Sequence, residues 1–428
     1  MMQQAELVIT DIGQLVTCAA NGRGPKRGAE MREVNLIENA SVAISDGIFT
    51  AVGPHQEILD EFVGERTFSA EGRAACPGFV DPHTHIVYAG DRLDEFVLKL
   101  QGAEYLDILS AGGGILSTVK KSREASVDLL VDESLARLNK MFKAGTTTIE
   151  IKTGYGLDTK AELKMLQVIE RLDVIHEADI VPTFLAAHTI APEFRNDPEA
   201  YVSLICEEML PAAWNWYLGS HFYQKSTPFF CDVFTERNAF DVEQMGRIFA
   251  TAGSLGFRLK SHVDQFSNLG GSEASIRSHA ASIDHLDAIS EREVGILAES
   301  DTIGVVIPTE NFSAGKVEFA PARRLIDKGC AVALSTDFNP GSAPCPSMPM
   351  AMAIASRYQR LLPSEALNAA TINAAHSVGL GDRFGSIEVG KAADMLILDC
   401  VDHRQIVYEF GGNLVLHVIK RGKFTSNG

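Results

Sequence analysis

Two of the chain's 12 histidines stand one residue apart at the end of an apolar run, GFVDPHTH, residues 78 to 85. In an extended segment, positions i and i+2 share a face, so His83 and His85 aim two imidazoles in one direction. An isolated pair of this kind is better explained as two satisfied or exposed histidines. Here, however, compatible ligands close two later apolar runs, His262 in RLKSHVD and Asp337 in AVALSTDFN. Three imidazoles and a carboxylate suit one zinc or ferrous ion, with a further position for water. The run FFCDVFTE holds no lysine and Lys225 precedes it, so a carbamylated lysine bridging two metals has no source, and one metal is expected.

His285, in SIDHL, is a fourth imidazole that either ligates the metal or stays neutral beside it and moves protons; the second role is preferred, the bland one being a core histidine. Asp337 can serve as ligand and proton acceptor together, because a metal-bound carboxylate keeps a free oxygen. Arg92 lies just past the HxH run, where a guanidinium could pair with a substrate carboxylate. Position alone favours a surface arginine paired to Asp91 or Glu95, and Tyr155 and His188 are equally open between site and structure. The run AGGGILST lacks the GK[ST] ending of a phosphate loop and reads as a flexible loop near the site.

Positioning such residues takes a repeating scaffold. Eight apolar segments, starting at residues 78, 146, 179, 229, 258, 282, 302 and 331, alternate with amphipathic stretches such as TKAELKMLQVIERL, DVEQMGRIFATAG and EREVGILAES. That is the pattern of a (β/α)8 TIM barrel, whose active sites gather at the C-terminal strand ends. His83, His85, Lys152, Tyr155, His188, Glu236, His262, Asp264, His285, Asp337 and Asn339 all fall at such ends. The first 75 residues read as short strands, AELVIT, GQLVTCAA, ASVAISDG, IFTAVG and RTFSAEG, and the tail returns to strands in FGSIEVG, ADMLILD and NLVLHVIKRGKFT. The expected organisation is an α/β chain with a composite β-sandwich domain from residues 1–76 and 385–428, and a barrel from 77–384.

Bulk properties narrow the partners. A net charge of -18 argues against nucleic acid and anionic membranes, so an anionic substrate must meet locally placed cations. No leader-like start and no long apolar span is present, which reads as cytoplasmic. Seven cysteines without a CxxC pair suggest buried thiols rather than disulfides or a zinc knuckle.

With PGFVDPHTH, His262, Asp337 and the tail GSIEVGKAADMLILD in place, the chain resembles the amidohydrolase superfamily. AGDRLDEF, GGGILSTV, EIKTGYGL, LAAHT, LGGSEA and STDFNPGS, in that order, resemble the imidazolonepropionase family within it. The resemblance spans nearly the whole chain. It implies hydrolysis of the cyclic amide of 4-imidazolone-5-propanoate to N-formimidoyl-L-glutamate in histidine degradation, with one zinc or iron, and it implies a homodimer. It assigns His83, His85, His262 and Asp337 to the metal, places His285 beside the reacting carbonyl, and gives Arg92, Tyr155 and His188 to the substrate. Asn339, Gly341 and Ser342 would contact the ring and the product's glutamate part.

Two features depart from the family pattern. Gln265 stands where many members have glutamate; an amide binds a ring but cannot relay a proton, which moves that work to Asp337 and His285. The segment WNWYLGSHFYQKSTPFF, residues 214 to 230, is longer than usual and would cover the barrel or meet another subunit. The rival readings are a deaminase of a heterocyclic base, which wants the carboxylic shuttle that Gln265 replaces, and a catalytically silent binding barrel, which predicts missing ligands.

Overall fold

The computed structural model describes residues 2–22, 24–102 and 113–425. The chain opens with β1 (Gln3–Val16), β2 (Leu36–Ser45), β3 (Ile48–Pro54), β4 (Phe62–Ser69) and β5 (Ala74–Pro77). A second group follows: β6 (Phe79–Asp81), β7 (Thr146–Lys152), β8 (Asp179–Ala187), β9 (Phe230–Thr235), β10 (Arg258–Val263), β11 (Ser282–His285), β12 (Ile303–Val306) and β13 (Val332–Leu334). Then come β14 (Met395–Leu398), β15 (Val415–Lys420) and β16 (Lys423–Phe424).

Strands β6 to β13 pair in chain order, every ladder parallel, and form the barrel. Its strands are buried on both faces and so read as near-continuous apolar runs. Side chains and loop backbone stitch β6 to β13: Ser335 Oγ lies 2.6 Å from Asp81 Oδ1 and 2.7 Å from His83 O, with one proton for the two acceptors, and His85 N donates to Phe338 O at 3.0 Å. Burial pushes the Asp81 carboxyl up to about 6 despite the Ser335 and Thr336 hydrogen bonds.

The terminal strands make one separate sheet, in the order β16-β15-β14-β5-β1-β2-β3 with β4 on β1. Ile9, Ile12, Val42 and Phe49 from its first strands share a core with Met395, Ile397 and Ile419 from its last. AELVIT and the first half of GQLVTCAA are one 14-residue strand rather than two, ending at Val16 and bent where the register shifts between Ile9 and Ile12 and Asp11 adopts a φ of 54°. FGSIEVG is not a strand: Gly385 and Gly390 take φ of 84° and 89°, and Ile387 is held as a loop by its N–H on Thr17 O at 2.8 Å.

The seven cysteines are free. Among the described residues no helix is long and apolar enough to cross a membrane.

Candidate active site

His83 and His85 lie just beyond β6, in an extended segment whose Pro82 carbonyl accepts from Lys260 Nζ at 2.6 Å. Their same-side geometry survives the end of the ladder: His83 Nε2 and His85 Nε2 are 3.3 Å apart, and His262 Nε2, from β10, is 3.3 Å from His85 Nε2. Asp337, after β13, brings Oδ1 to 3.6 Å from His83 Nε2 and 3.4 Å from His85 Nε2. The four residues expected as ligands therefore converge, from three strand ends.

The outer ring nitrogens explain their orientation. His83 Nδ1 donates to Asp284 Oδ2 at 2.6 Å and His262 Nδ1 donates to Asp232 Oδ1 at 3.0 Å. Each carboxylate fixes the tautomer of its ring, so the Nε2 lone pairs of His83 and His262 both point at His85 Nε2, whose own Nδ1 has no partner. Three ring nitrogens gathered this closely, two of them bare, fit a cation bound among them. Burial, with Lys152 and the other histidines adding to it, holds His83 well below the usual imidazole range, and burial with His188 and His262 does the same to His85. Asp337 is pushed well above the carboxylate range by burial, chiefly, and by the charge of Glu310.

Asp284 and Asp232 belong to a group that sequence reasoning missed. Lys152 Nζ bonds Glu150 Oε1 and Asp232 Oδ2, each at 2.7 Å, and Lys260 Nζ lies 3.5 Å from Glu150 Oε1, all of these side chains being fully buried. The signal was present as polar and charged residues spaced by two inside largely apolar strands, Glu150 with Lys152, Lys260 with His262, and Ser282 with Asp284. Attention to strand ends alone passes over it.

Around these rings stand the remaining expected residues. His285 has its ring 5.4 Å from that of His83 and 5.3 Å from that of His262. Burial and then the charge of His262 keep it neutral, and its Nδ1 is buried without a partner. His188 stacks on His85 at 4.9 Å and places Nδ1 3.1 Å from Gly154 O; burial lowers it to about 3. Tyr155 packs 5.5 Å from His188 and its phenol is raised by burial. Arg92 does pair with Glu95, at 2.9 Å, yet its side chain is only 12% exposed and lies so close to Gly341 that a Cβ there would sit 2.0 Å from Nη1. Asp264, His285 and Asp337, each just after or at a strand end, share left-handed backbone with φ of 54°, 85° and 48°, strain that gathers where function fixes geometry.

Asn339 shapes its loop rather than facing open space: Nδ2 donates to Asp337 O at 2.7 Å and Ser342 Oγ at 2.9 Å, while Oδ1 accepts from Gly341 N and Ser342 N at 2.7 and 2.8 Å. Gln265 is half-buried in the loop after β10. Two loop expectations can be placed. Residues 214 to 230, expected to cover the barrel or meet another subunit, lie at the end of the barrel opposite the imidazoles, where Trp214 packs near Phe229 and Phe257 at the starts of β9 and β10. In AGGGILST, 111 and 112 lie outside the described residues, and a helix already begins at Ile115, so only Gly113 and Gly114 remain as described loop.

A parallel eight-stranded barrel with this donor set at its C-terminal face, joined to a sheet from both termini, is the architecture of amidohydrolases. The Amidohydrolase family model matches residues 251–425. Solved structures of the same fold include an adenosine deaminase from Xanthomonas campestris with bound zinc (TM-score 0.70, 19% identity, 99% of this chain and 93% of that one) and the E. coli guanine deaminase (TM-score 0.71, 15% identity, 98% and 99%). Curated relatives match far more closely in sequence. An imidazolonepropionase of Herpetosiphon aurantiacus is 48% identical over 99% of this chain and 97% of its own, and one of Symbiobacterium thermophilum is 44% identical over 99% and 97%. The chain belongs to the imidazolonepropionase family.

Proposed function

We propose that this chain hydrolyses the cyclic amide of 4-imidazolone-5-propanoate to N-formimidoyl-L-glutamate, using one zinc or iron ion held by His83, His85, His262 and Asp337. The observation that carries the reading is the convergence of three Nε2 atoms and one carboxylate, with Asp284 and Asp232 behind two of the rings. When bound, the metal supplies Lewis acidity, polarising a carbonyl and making a water acidic near neutral pH.

The residues around it divide the remaining work. The free oxygen of Asp337 accepts a proton from the attacking water, as its position beside His83 and His85 allows. His285, neutral and bare at Nδ1, donates a hydrogen bond to the growing oxyanion. Because His188 gives its Nδ1 proton to Gly154 O, its Nε2 offers a lone pair to a ring N–H. Tyr155, kept protonated, is a donor. Arg92 holds the propionate through the guanidinium edge that Glu95 does not use, and Gly341 leaves room for it. Gln265 hydrogen-bonds the ring, while Asn339 and Ser342 set the loop that carries Gly341. A cytoplasmic location and a homodimer complete the proposal; sedimentation of the purified protein tests the latter.

Replacing His262 by alanine is the sharpest test of the site. Bound metal and turnover are expected to fall together to background; a metal-free variant that still opens the ring would contradict the assignment.

A further inference from the structure

The hydrolysis proposed above turns a neutral ring into a pair of opposite charges. The water oxygen bonds to the ring carbonyl carbon, the carbon–nitrogen bond breaks, and both water protons end on the amidine, leaving a carboxylate at one end. N-substituted formamidines are strong bases, so the other end is a formamidinium cation. The metal ligands and His285 account for the developing negative charge. The positive end needs an anion, and Asp337, the one carboxylate assigned so far, is committed to the metal and to the water's proton.

The ends of strands β11 and β12 supply one. Ligand atoms of His285, Asp287 and Glu310 all lie within 4.8 Å of one another. Glu310, in the helix Pro308–Ser313 that follows β12, is 3% exposed. It fills the one barrel position, after the seventh strand, for which sequence reading named no strand-end group. Its carboxylate takes Lys316 Nζ at 3.1 and 3.4 Å, while Asp287 Oδ1 takes Asn311 Nδ2 at 2.6 Å. The Lys316 ammonium is bonded to Glu310 and reaches Asp287 only through its charge, and His285, whose Nδ1 is buried without a partner, is the third member of the group. We propose that Asp287 and Glu310 form an anionic subsite that binds the formamidinium end of the product as it forms. Burial, and then the charge of Glu310, push Asp287 up to about 7, a cost that an arriving cation relieves.

This inference rests on the proposed ring opening, and the test separates the two. Inhibition of metal-loaded enzyme by N-formimidoyl-L-glutamate is compared with inhibition by N-formyl-L-glutamate, which has the same shape and no positive charge. Wild type is expected to prefer the amidine by about tenfold or more, the scale of a charge-assisted hydrogen bond. Glu310→Gln and Asp287→Asn should each erase most of that preference, leave the N-formyl ligand unaffected and keep one metal per chain. Should either variant fail to fold, Lys316→Met, which removes the ammonium bonded to Glu310, is expected to widen the preference. An unchanged ratio, or equal weakening of both ligands, overturns the subsite while ring opening by wild type stands. Absence of ring opening by metal-loaded wild type overturns the activity itself.

Discussion

Two charged groups, one fully buried and one reaching the surface at Arg421, occupy opposite ends of this barrel, and they are balanced differently. At the end where barrel meets terminal sheet, Lys420 bonds both Asp179 and Asp394, and Arg421 bonds Asp179, so two cations answer two carboxylates. Beneath the imidazoles, Glu150, Asp232 and Asp284 face only Lys152 and Lys260, all fully buried. The surplus carboxylate character is turned towards His83 and His262. Burying ions costs several kcal/mol each unless partners are close and well oriented, so an unbalanced group persists only where something offsets the deficit. The balanced group serves as a joint; the unbalanced one is the lower half of a cation site.

Breaking the unbalanced group should do the most damage. Lys152→Met strips Asp232 and Glu150 of their main counter-ion, whose opposing charges outweigh burial and hold the ammonium above its usual range. A loss of about 3–5 kcal/mol in denaturant unfolding is expected, with weakened metal binding in whatever folds. Lys420→Met should cost about 3 kcal/mol by the same mechanism but leave one metal per chain in the folded protein; a metal loss there would erase the distinction between the two groups. Asp284→Asn keeps the shape and weakens the pull on His83 Nδ1, so metal affinity in a chelator competition should fall about 10–100-fold with little change in unfolding. Arg421→Gln should be the mildest, about 0.5 kcal/mol, because its side chain is half exposed to solvent.

The contrast also marks what was legible in the sequence. The barrel was legible because its strands are mostly apolar and β-branched and alternate with amphipathic helices, and the ligands because His83, His85, His262 and Asp337 sit where such strands stop. The charges beneath were not, since a lysine in an apolar strand says nothing of its partner until β7, β9 and β11 close around it. Glu310 escaped notice because it lies four residues past the end of β12, where distance from the strand hides nearness to His285. At the other end, AELVIT and GQLVTCAA looked like two strands because Asp11 and Gly13 mimic a turn; a single left-handed residue bends the strand instead. Arg92 showed the reverse: the Glu95 pairing that position predicts is real and coexists with a guanidinium turned inward over Gly341.

The central claim is that this site opens an imidazolone ring. The purified, metal-loaded chain, given fresh 4-imidazolone-5-propanoate, should remove the substrate's ultraviolet absorbance and form one equivalent of N-formimidoyl-L-glutamate, with no ammonia released from guanine or adenosine. A chain holding one metal ion that leaves the ring intact, or that deaminates those bases, would contradict it.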